Sequence, residues 1–342
     1  MPTTSPVLPS RSPIERSPCM CRTILGGPAR RMLPMAAESA SKPSIQSFYE
    51  GLSETGLVRR LLEIARDEDL GPDRLDLTAS VTRSESEHAS ARVMLAQDAV
   101  IAGLSAIPEL LEVFGAEVKV TTALRDGDRA AKGAVLATLE GPLDQIVTIE
   151  RTILNLLGRL TGVATLTAEY VQRAGPGVEV LDTRKTTPGL RVLEKYAVRC
   201  GGGTSHRLGL HDAVLIKDNH IAHVPTGELG SWITDAAQRA MELSCAFFMV
   251  EVDTLEQFRG VLDVDDGLVD YVLLDNMSPE TMRTAVEMRE EAGSSIKLEA
   301  SGGVRLETIA SIAASGVDRI SVGALTHQAV TADVRLDIGT DR

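Results

Sequence analysis

The chain of 342 residues has no excess of positive charge, no long apolar run and no paired cysteine motif. With 35 Lys and Arg against 48 Asp and Glu, its formal net charge is -13. Such a field opposes a phosphate backbone and excludes a nucleic-acid surface. No segment approaches the roughly 18 consecutive apolar residues that a membrane-spanning helix needs. Cys19, Cys21, Cys200 and Cys245 show no CxxC spacing, which argues against structural zinc and a disulfide framework and points to a reducing cytoplasm. The remaining composition, 43% hydrophobic and 24% charged, is that of an ordinary globular protein with room for two domains.

Residues 1–43 are rich in Pro, Ser and Arg, almost free of acids, and cannot build a core. They lack both the apolar centre of a signal peptide and a clear amphipathic helix. The segment reads as a disordered or spuriously included upstream extension, with Met32 or Met35 as candidate starts and a transit peptide as the competing reading.

From residue 44 to 153 the pattern is mixed. LVRRLLEIARDEDL (57–70) and IPELLEVFG (107–115) repeat apolar residues at helical spacing. ARVMLAQDAVIAG (91–103), EVKVTTAL (117–124) and AVLATLEGP (134–142) suit strands, so this half predicts an α+β sandwich domain. Residues 328–342 are a candidate addition to it. A long helical pattern follows over 145–174, with Ile149, Ile153, Leu156 and Leu160 as its buried stripe and Arg151, Asn155 and Gly158 on another face.

Over 154–327 the rhythm becomes strand then helix. Six apolar strands are expected at 178–183, 212–218, 247–253, 271–276, 296–303 and 319–325, separated in several places by helical patterns. Strands buried on both faces and joined by helices imply a parallel sheet, here an α/β barrel. In such barrels the working groups stand at the C-terminal strand ends.

Those ends carry Asp182 to Lys185, Lys217 to His220, Glu251 with Asp253, Asp275-Asn276, Ser301-Gly302-Gly303 and Gly323-Ala324. A glycine-rich stretch read as a hairpin, 201–207, adds His206 and Arg207. Each wall of this mouth suits a chemical task. Arg184, Arg207 and Arg151 suit a small polyanion because a guanidinium pairs two-pronged with carboxylate or phosphate. Lys185 and Lys217 supply compact charge, and Glu251 with Asp275 could hold Mg2+ and a diphosphate. SGG before a helix expected at 304, with SVGA on the next strand, suits a phosphate held by backbone N–H groups. A single strand-end Asp or Lys is more often half of a loop salt bridge; their joint placement on one mouth favours function. Lys195 and Arg199, four apart on a helix, read as a solvated face.

DTRKTTPGLRVLEKYAVRCGGG, SHRLGL, DAVLIKDNHI, EVDTLEQ, LLDN, EASGGV and SVGALTH, in this order, resemble the quinolinate phosphoribosyltransferase family. ERTILNLLGRLTGVAT and DEDLG in the earlier half are similar to it too. The resemblance implies an N-terminal α/β sandwich, an incomplete TIM-like α/β barrel, and conversion of quinolinate and 5-phosphoribosyl 1-diphosphate to nicotinate mononucleotide, diphosphate and CO2 in NAD biosynthesis. It implies Mg2+ accompanying the diphosphate substrate, no organic cofactor, and a homodimer or a hexamer of dimers.

By the same resemblance Arg184, His206 and Arg207 hold the quinolinate carboxylates, joined by Arg151 from the partner subunit. Lys185 and Lys217 contact the donor or substrate, and these two with Glu251 and Asp275 are the expected catalytic set. Glu251 and Asp275 lie near ribose and metal, and Ser301, Gly302, Gly323 and His327 near the 5-phosphate. Two departures stand out: Ser205 where Asn commonly precedes His-Arg, and Met249 where a second Glu often stands. The rival readings are a phosphoribosyltransferase for another pyridine carboxylate, a Schiff-base lyase using Lys217, and a non-catalytic phosphate-binding protein.

Overall fold

A computed structural model describes residues 43–82 and 87–339. The expectation of an extension without a core falls, but for Pro43, outside the described residues. Four helices, α1 (Ile45–Ser53), α2 (Leu57–Leu70), α3 (Leu77–Thr82) and α4 (Ile107–Phe114), accompany five strands in the first half. These are β1 (His88–Leu95), β2 (Ala99–Val100), β3 (Lys119–Thr121), β4 (Arg129–Ala130) and β5 (Val135–Pro142). The single strand expected over 91–103 breaks into β1 and β2 at a bend, and β2 pairs only with β4. Along β1 the period of two is explicit: Ala91, Val93 and Leu95 are fully buried while Arg92 is exposed.

Helix α5 (Leu143–Ala174) runs uninterrupted for 32 residues, about 48 Å at 1.5 Å per residue. The boundary expected at 153/154 therefore lies inside a helix. Its stripe of Ile149, Ile153, Leu156 and Leu160 is buried as the spacing predicts, each side chain contributing roughly 1.5–3 kcal/mol. Gly175, at φ +77°, ends it in a conformation that few side chains tolerate. Gly158 continues the row of Arg151 and Asn155 along the helix but, unlike them, is not exposed. It is buried where the 330–332 segment crosses the helix, and a Cβ there would lie 2.8 Å from the Ala332 carbonyl.

Beyond α5 come β6 (Glu179–Leu181), α6 (Arg191–Cys200), β7 (Val214–Ile216), α7 (Asp218–Ile221), α8 (Leu229–Met241), β8 (Phe248–Val252) and α9 (Leu255–Leu262). The chain continues with β9 (Tyr271–Asp275), α10 (Pro279–Glu291), β10 (Lys297–Ser301), α11 (Ile309–Ala313), β11 (Arg319–Ser321), α12 (Ala324–His327) and β12 (Val334–Gly339). Six parallel strands lie in the order β6-β11-β10-β9-β8-β7, with β6 and β7 as the two edges of an incomplete barrel. β12 leaves the barrel and pairs antiparallel with β1 in the four-stranded sheet β12-β1-β5-β3.

Register puts Glu251, Leu273, Glu299 and Arg319 side by side at one level of adjacent strands. Ala213, Phe247, Met249, Tyr271 and Leu273 pack together as the apolar floor of this region. The stretch 201–207 is not a hairpin. Thr204 instead lies parallel to β6 through a bridge to Leu181, extending the sheet past its edge. Among the described residues no helix is long and apolar enough to cross a membrane. Cys200 and Cys245 are free thiols, and Cys19 and Cys21 lie outside the described residues.

Candidate active site

The loop after β6 carries Arg184 and Lys185, both exposed. Its turn is built by its own threonines: the Lys185 N–H donates to Thr183 Oγ1 at 3.0 Å. Arg191 Nε donates to Thr186 Oγ1 at 3.1 Å. Across from it, Thr326 Oγ1 donates to the Lys185 carbonyl at 2.7 Å, tying this loop to the one after β11. The Lys185 side chain passes over Gly323, where an added Cβ would meet Lys185 Cδ at 3.0 Å and His327 Nε2 at 3.2 Å. Lys185, Gly323 and His327 are thus brought together.

Arg207 is buried, with Nη1 donating to the Ala213 carbonyl at 3.2 Å. Burial, and then the nearby Arg184, push its guanidinium below the usual range. Neither arginine has an ion-pair partner among the described residues. His206, also buried, has both ring nitrogens engaged. Nδ1 accepts the Arg207 N–H at 2.8 Å and Nε2 lies 3.3 Å from Glu299 Oε1.

The opposite wall is acidic. Lys217 forms an ion pair with buried Glu251. Asp275 accepts from Asn276 Nδ2 at 2.6 Å. Partial burial, then Asp218 and Asp275, push the Asp253 carboxyl upward against the pull of Lys217. Asn276 takes the left-handed φ of 54° and donates its N–H to the Ser301 carbonyl at 2.9 Å. Gly302 is required beside it, because a Cβ would fall 2.1 Å from Asn276 Oδ1. Gly303 is followed by turns, and the next helix, α11, begins at Ile309 rather than at 304 and has only five residues. The helix N-terminus expected behind SGG is therefore absent there.

Two expectations are corrected outright. Lys195 is not on a solvated face: it is fully buried, ion-paired with Asp182, and donates to the His206 carbonyl at 3.1 Å. Burial pushes the Asp182 carboxyl up and the Lys195 ammonium down, each toward its neutral form. Arg199 is half-buried, donating to the Gly203 carbonyl at 3.3 Å and lying 5.7 Å above the Phe48 ring. Arg151 stands exposed on α5, about 12 Å along the axis from Arg159, with no hydrogen bond or ion pair among the described residues.

Sequence reasoning passed over Glu299, Arg319, Arg159 and Glu194. Glu299 is fully buried, 3.3 Å from both His206 and Arg319 Nε, and Arg319 lies 4.0 Å above the Tyr271 ring. Burial alone would raise the Glu299 carboxyl, but His206 and Arg319 hold it down to about 2. The legible signal was a charge in the middle of one buried strand, Glu299 in KLEAS, and at the start of its neighbour, Arg319 in RIS.

Residues 76–161 match the family model for the quinolinate phosphoribosyl transferase N-terminal domain, and residues 163–337 that for its C-terminal domain. The chain is 37% identical over 284 residues to a probable nicotinate-nucleotide pyrophosphorylase (carboxylating) of Bacillus subtilis, covering 82% of this chain and 93% of the relative. It is 40% identical over 267 residues to the corresponding Mycobacterium leprae protein, covering 77% and 91%. A solved nicotinate-nucleotide pyrophosphorylase from Francisella tularensis superposes with a TM-score of 0.74 at 33% identity, covering 83% of this chain and 96% of that one. With two domain models adjoining across the long helix, and relatives of this identity spanning the barrel and the mouth just described, the chain belongs to the quinolinate phosphoribosyltransferase family.

Proposed function

We propose that this chain joins quinolinate to 5-phosphoribosyl 1-diphosphate at the barrel mouth, releasing diphosphate and CO2 and giving nicotinate mononucleotide for NAD biosynthesis. The observation that carries the reading is the pair Arg184 and Arg207, two guanidinium groups close enough to repel, neither of which forms an ion pair among the described residues. Such a pair suits the adjacent carboxylates of quinolinate, each able to accept a two-pronged contact. His206 contributes by fixing Arg207, since a direct contact would require one of its ring nitrogens to exchange its present partner.

Lys185, Gly323 and His327 form the wall for the 5-phosphate of the donor, with Ser301 and Gly302 beside it. Glu251, Asp275 and Lys217 face the ribose. As the C1–diphosphate bond breaks, positive charge grows on the ribose ring and the Glu251 carboxylate stabilises it, while the pyridine nitrogen forms the new bond. The 2-carboxylate then leaves as CO2, its bonding electrons pass onto the pyridinium ring, and C2 takes up a proton. The ring itself is the electron sink, so the reading calls for no organic cofactor; the protein supplies position and charge.

Mg2+ fits as a passenger of the diphosphate. Asp218 and Asp275 lie near Asp253 and their negative charge is only partly offset by Lys217, yet among the described residues no group of three or more His, Cys, Asp or Glu is arranged to hold a metal ion. Of the expected pair Glu251 and Asp275, Glu251 is engaged by Lys217, so Asp275 with Asp253 would meet the ion, which when bound would neutralise the leaving group. Arg151, unpaired on its exposed helical face, is assigned to the mouth of a second copy in a homodimer. Cys200 and Cys245 as free thiols accord with a cytoplasmic setting. Commitment of Lys217 to Glu251 disfavours a Schiff-base lyase, which needs a free amine.

The test is release of labelled CO2 from quinolinate, dependent on 5-phosphoribosyl 1-diphosphate, with and without Mg2+. Faster consumption of the donor with nicotinate than with quinolinate would overturn the assignment.

A further inference from the structure

Arg159 lies on α5 and Glu194 on α6, neither at a strand end, yet their side chains reach both cationic loops of the mouth. Arg159 donates to Glu194 Oε1 from Nε at 3.1 Å and from Nη2 at 2.6 Å. The same guanidinium donates from Nη2 to the Thr326 carbonyl at 2.6 Å and from Nη1 to the Ala329 carbonyl at 2.8 Å. Glu194 is fully buried and serves the other loop, accepting the Thr187 N–H at 3.0 Å and Thr187 Oγ1 at 2.9 Å. Thr187 follows Arg184 and Lys185 by a few residues, and Thr326 adjoins His327. The circuit closes through Thr326 Oγ1 and the Lys185 carbonyl.

We propose that the Arg159–Glu194 ion pair positions the mouth for phosphoribosyl transfer, fixing the loop of Arg184 and Lys185 against the loop of Gly323 and His327. The inference rests on the reaction proposed above. The Arg184–Lys185 loop is irregular backbone and the segment facing it holds only the four-residue helix α12, so apart from this pair the hydrogen bond between them among the described residues is that of one threonine hydroxyl. A guanidinium is suited to the task because its rigid fork of donors meets one carboxylate and two carbonyls at once, which an ammonium cannot reproduce. Misplacement of reacting groups by about 1 Å is enough to cost about 100-fold in rate.

The test compares Arg159→Lys and Thr187→Val with the wild type, by CO2 release from quinolinate and by backbone hydrogen exchange of the ligand-free protein. Arg159→Lys is expected to keep its fold, lose about 100-fold in kcat/KM, and exchange faster in 183–190 and 323–329 together, with β8 and β9 unchanged. Thr187→Val is expected to lose about tenfold, as for one hydrogen bond of about 1.4 kcal/mol, with faster exchange confined to 183–190. Wild-type kinetics in a folded Arg159→Lys, or exchange rising in one loop alone or throughout the barrel, would overturn the proposal. Should that variant fail to fold, Thr187→Val decides: Thr187 is exposed, and wild-type exchange and kinetics there would also overturn it. A wild-type protein that releases no CO2 would refute the reaction, while the exchange data would still test the pair.

Discussion

At the rim of the barrel, Arg184 and Lys185 stand exposed without an ion-pair partner among the described residues. Just beneath, Lys195 faces Asp182, and Glu299 sits between His206 and Arg319, every one of these side chains almost wholly buried. Water solvates an unpaired charge at the rim at little cost, so those cations can wait for a ligand. Removed from water, an ion costs several kcal/mol unless a partner and hydrogen bonds offset it. The difference assigns tasks among these residues: the unpaired rim cations are available for chemistry, and the paired interior charges shape the wall that presents them.

The contrast is tested most severely at the rim. Arg184→Ala or Lys185→Ala should lower kcat/KM by about 100-fold or more, as for loss of a charge-assisted contact to an anionic group of the substrate, while urea stability stays within about 0.5 kcal/mol. Unfolding of either variant would break the comparison, since it would make the rim cation a structural one. In the interior the signs reverse. Lys195→Met leaves Asp182 buried and unpaired and should cost about 3–5 kcal/mol of stability, measured by urea unfolding.

Glu299 gives the same division through pH. Its carboxyl, held down to about 2 from the ordinary 4.5, binds fewer protons folded than unfolded between those values. Its stabilisation, about 3 kcal/mol, is therefore complete above about pH 4.5 and is lost as pH falls toward 2. The stability gap between wild type and Glu299→Gln should be widest at pH 6 and narrow by pH 3; a gap independent of pH would remove the charge from the account. The smallest effect is expected at Ser205, whose buried Oγ has no hydrogen-bond partner. Ser205→Ala should be neutral or stabilising by up to about 1 kcal/mol, with unchanged activity.

Much of the fold was legible from periodicity. Helix α2 spans the residues its apolar spacing marks, and all six barrel strands lie inside the runs read for them. The strand ends of the mouth were legible for the same reason, because a strand's length fixes where it stops. Lys195 was not, since i,i+4 spacing on a helix is the same for a solvated face and for a buried one that meets Asp182 from another segment. The helix expected at 304 failed because a Ser-Gly-Gly run marks a turn without fixing how many residues pass before a helix starts.

The sequence by itself determined the strand-and-helix rhythm, the acidic balance, and which residue types arrive at one end of the sheet. Those follow from local period and composition, which need no partner. Tertiary structure alone decided which charges stay free. Whether Arg184, Lys195 or Arg159 meets a carboxylate depends on α5, α6 and the strand ends converging in space, and only that convergence sets the burial that makes an unpaired charge tolerable or not.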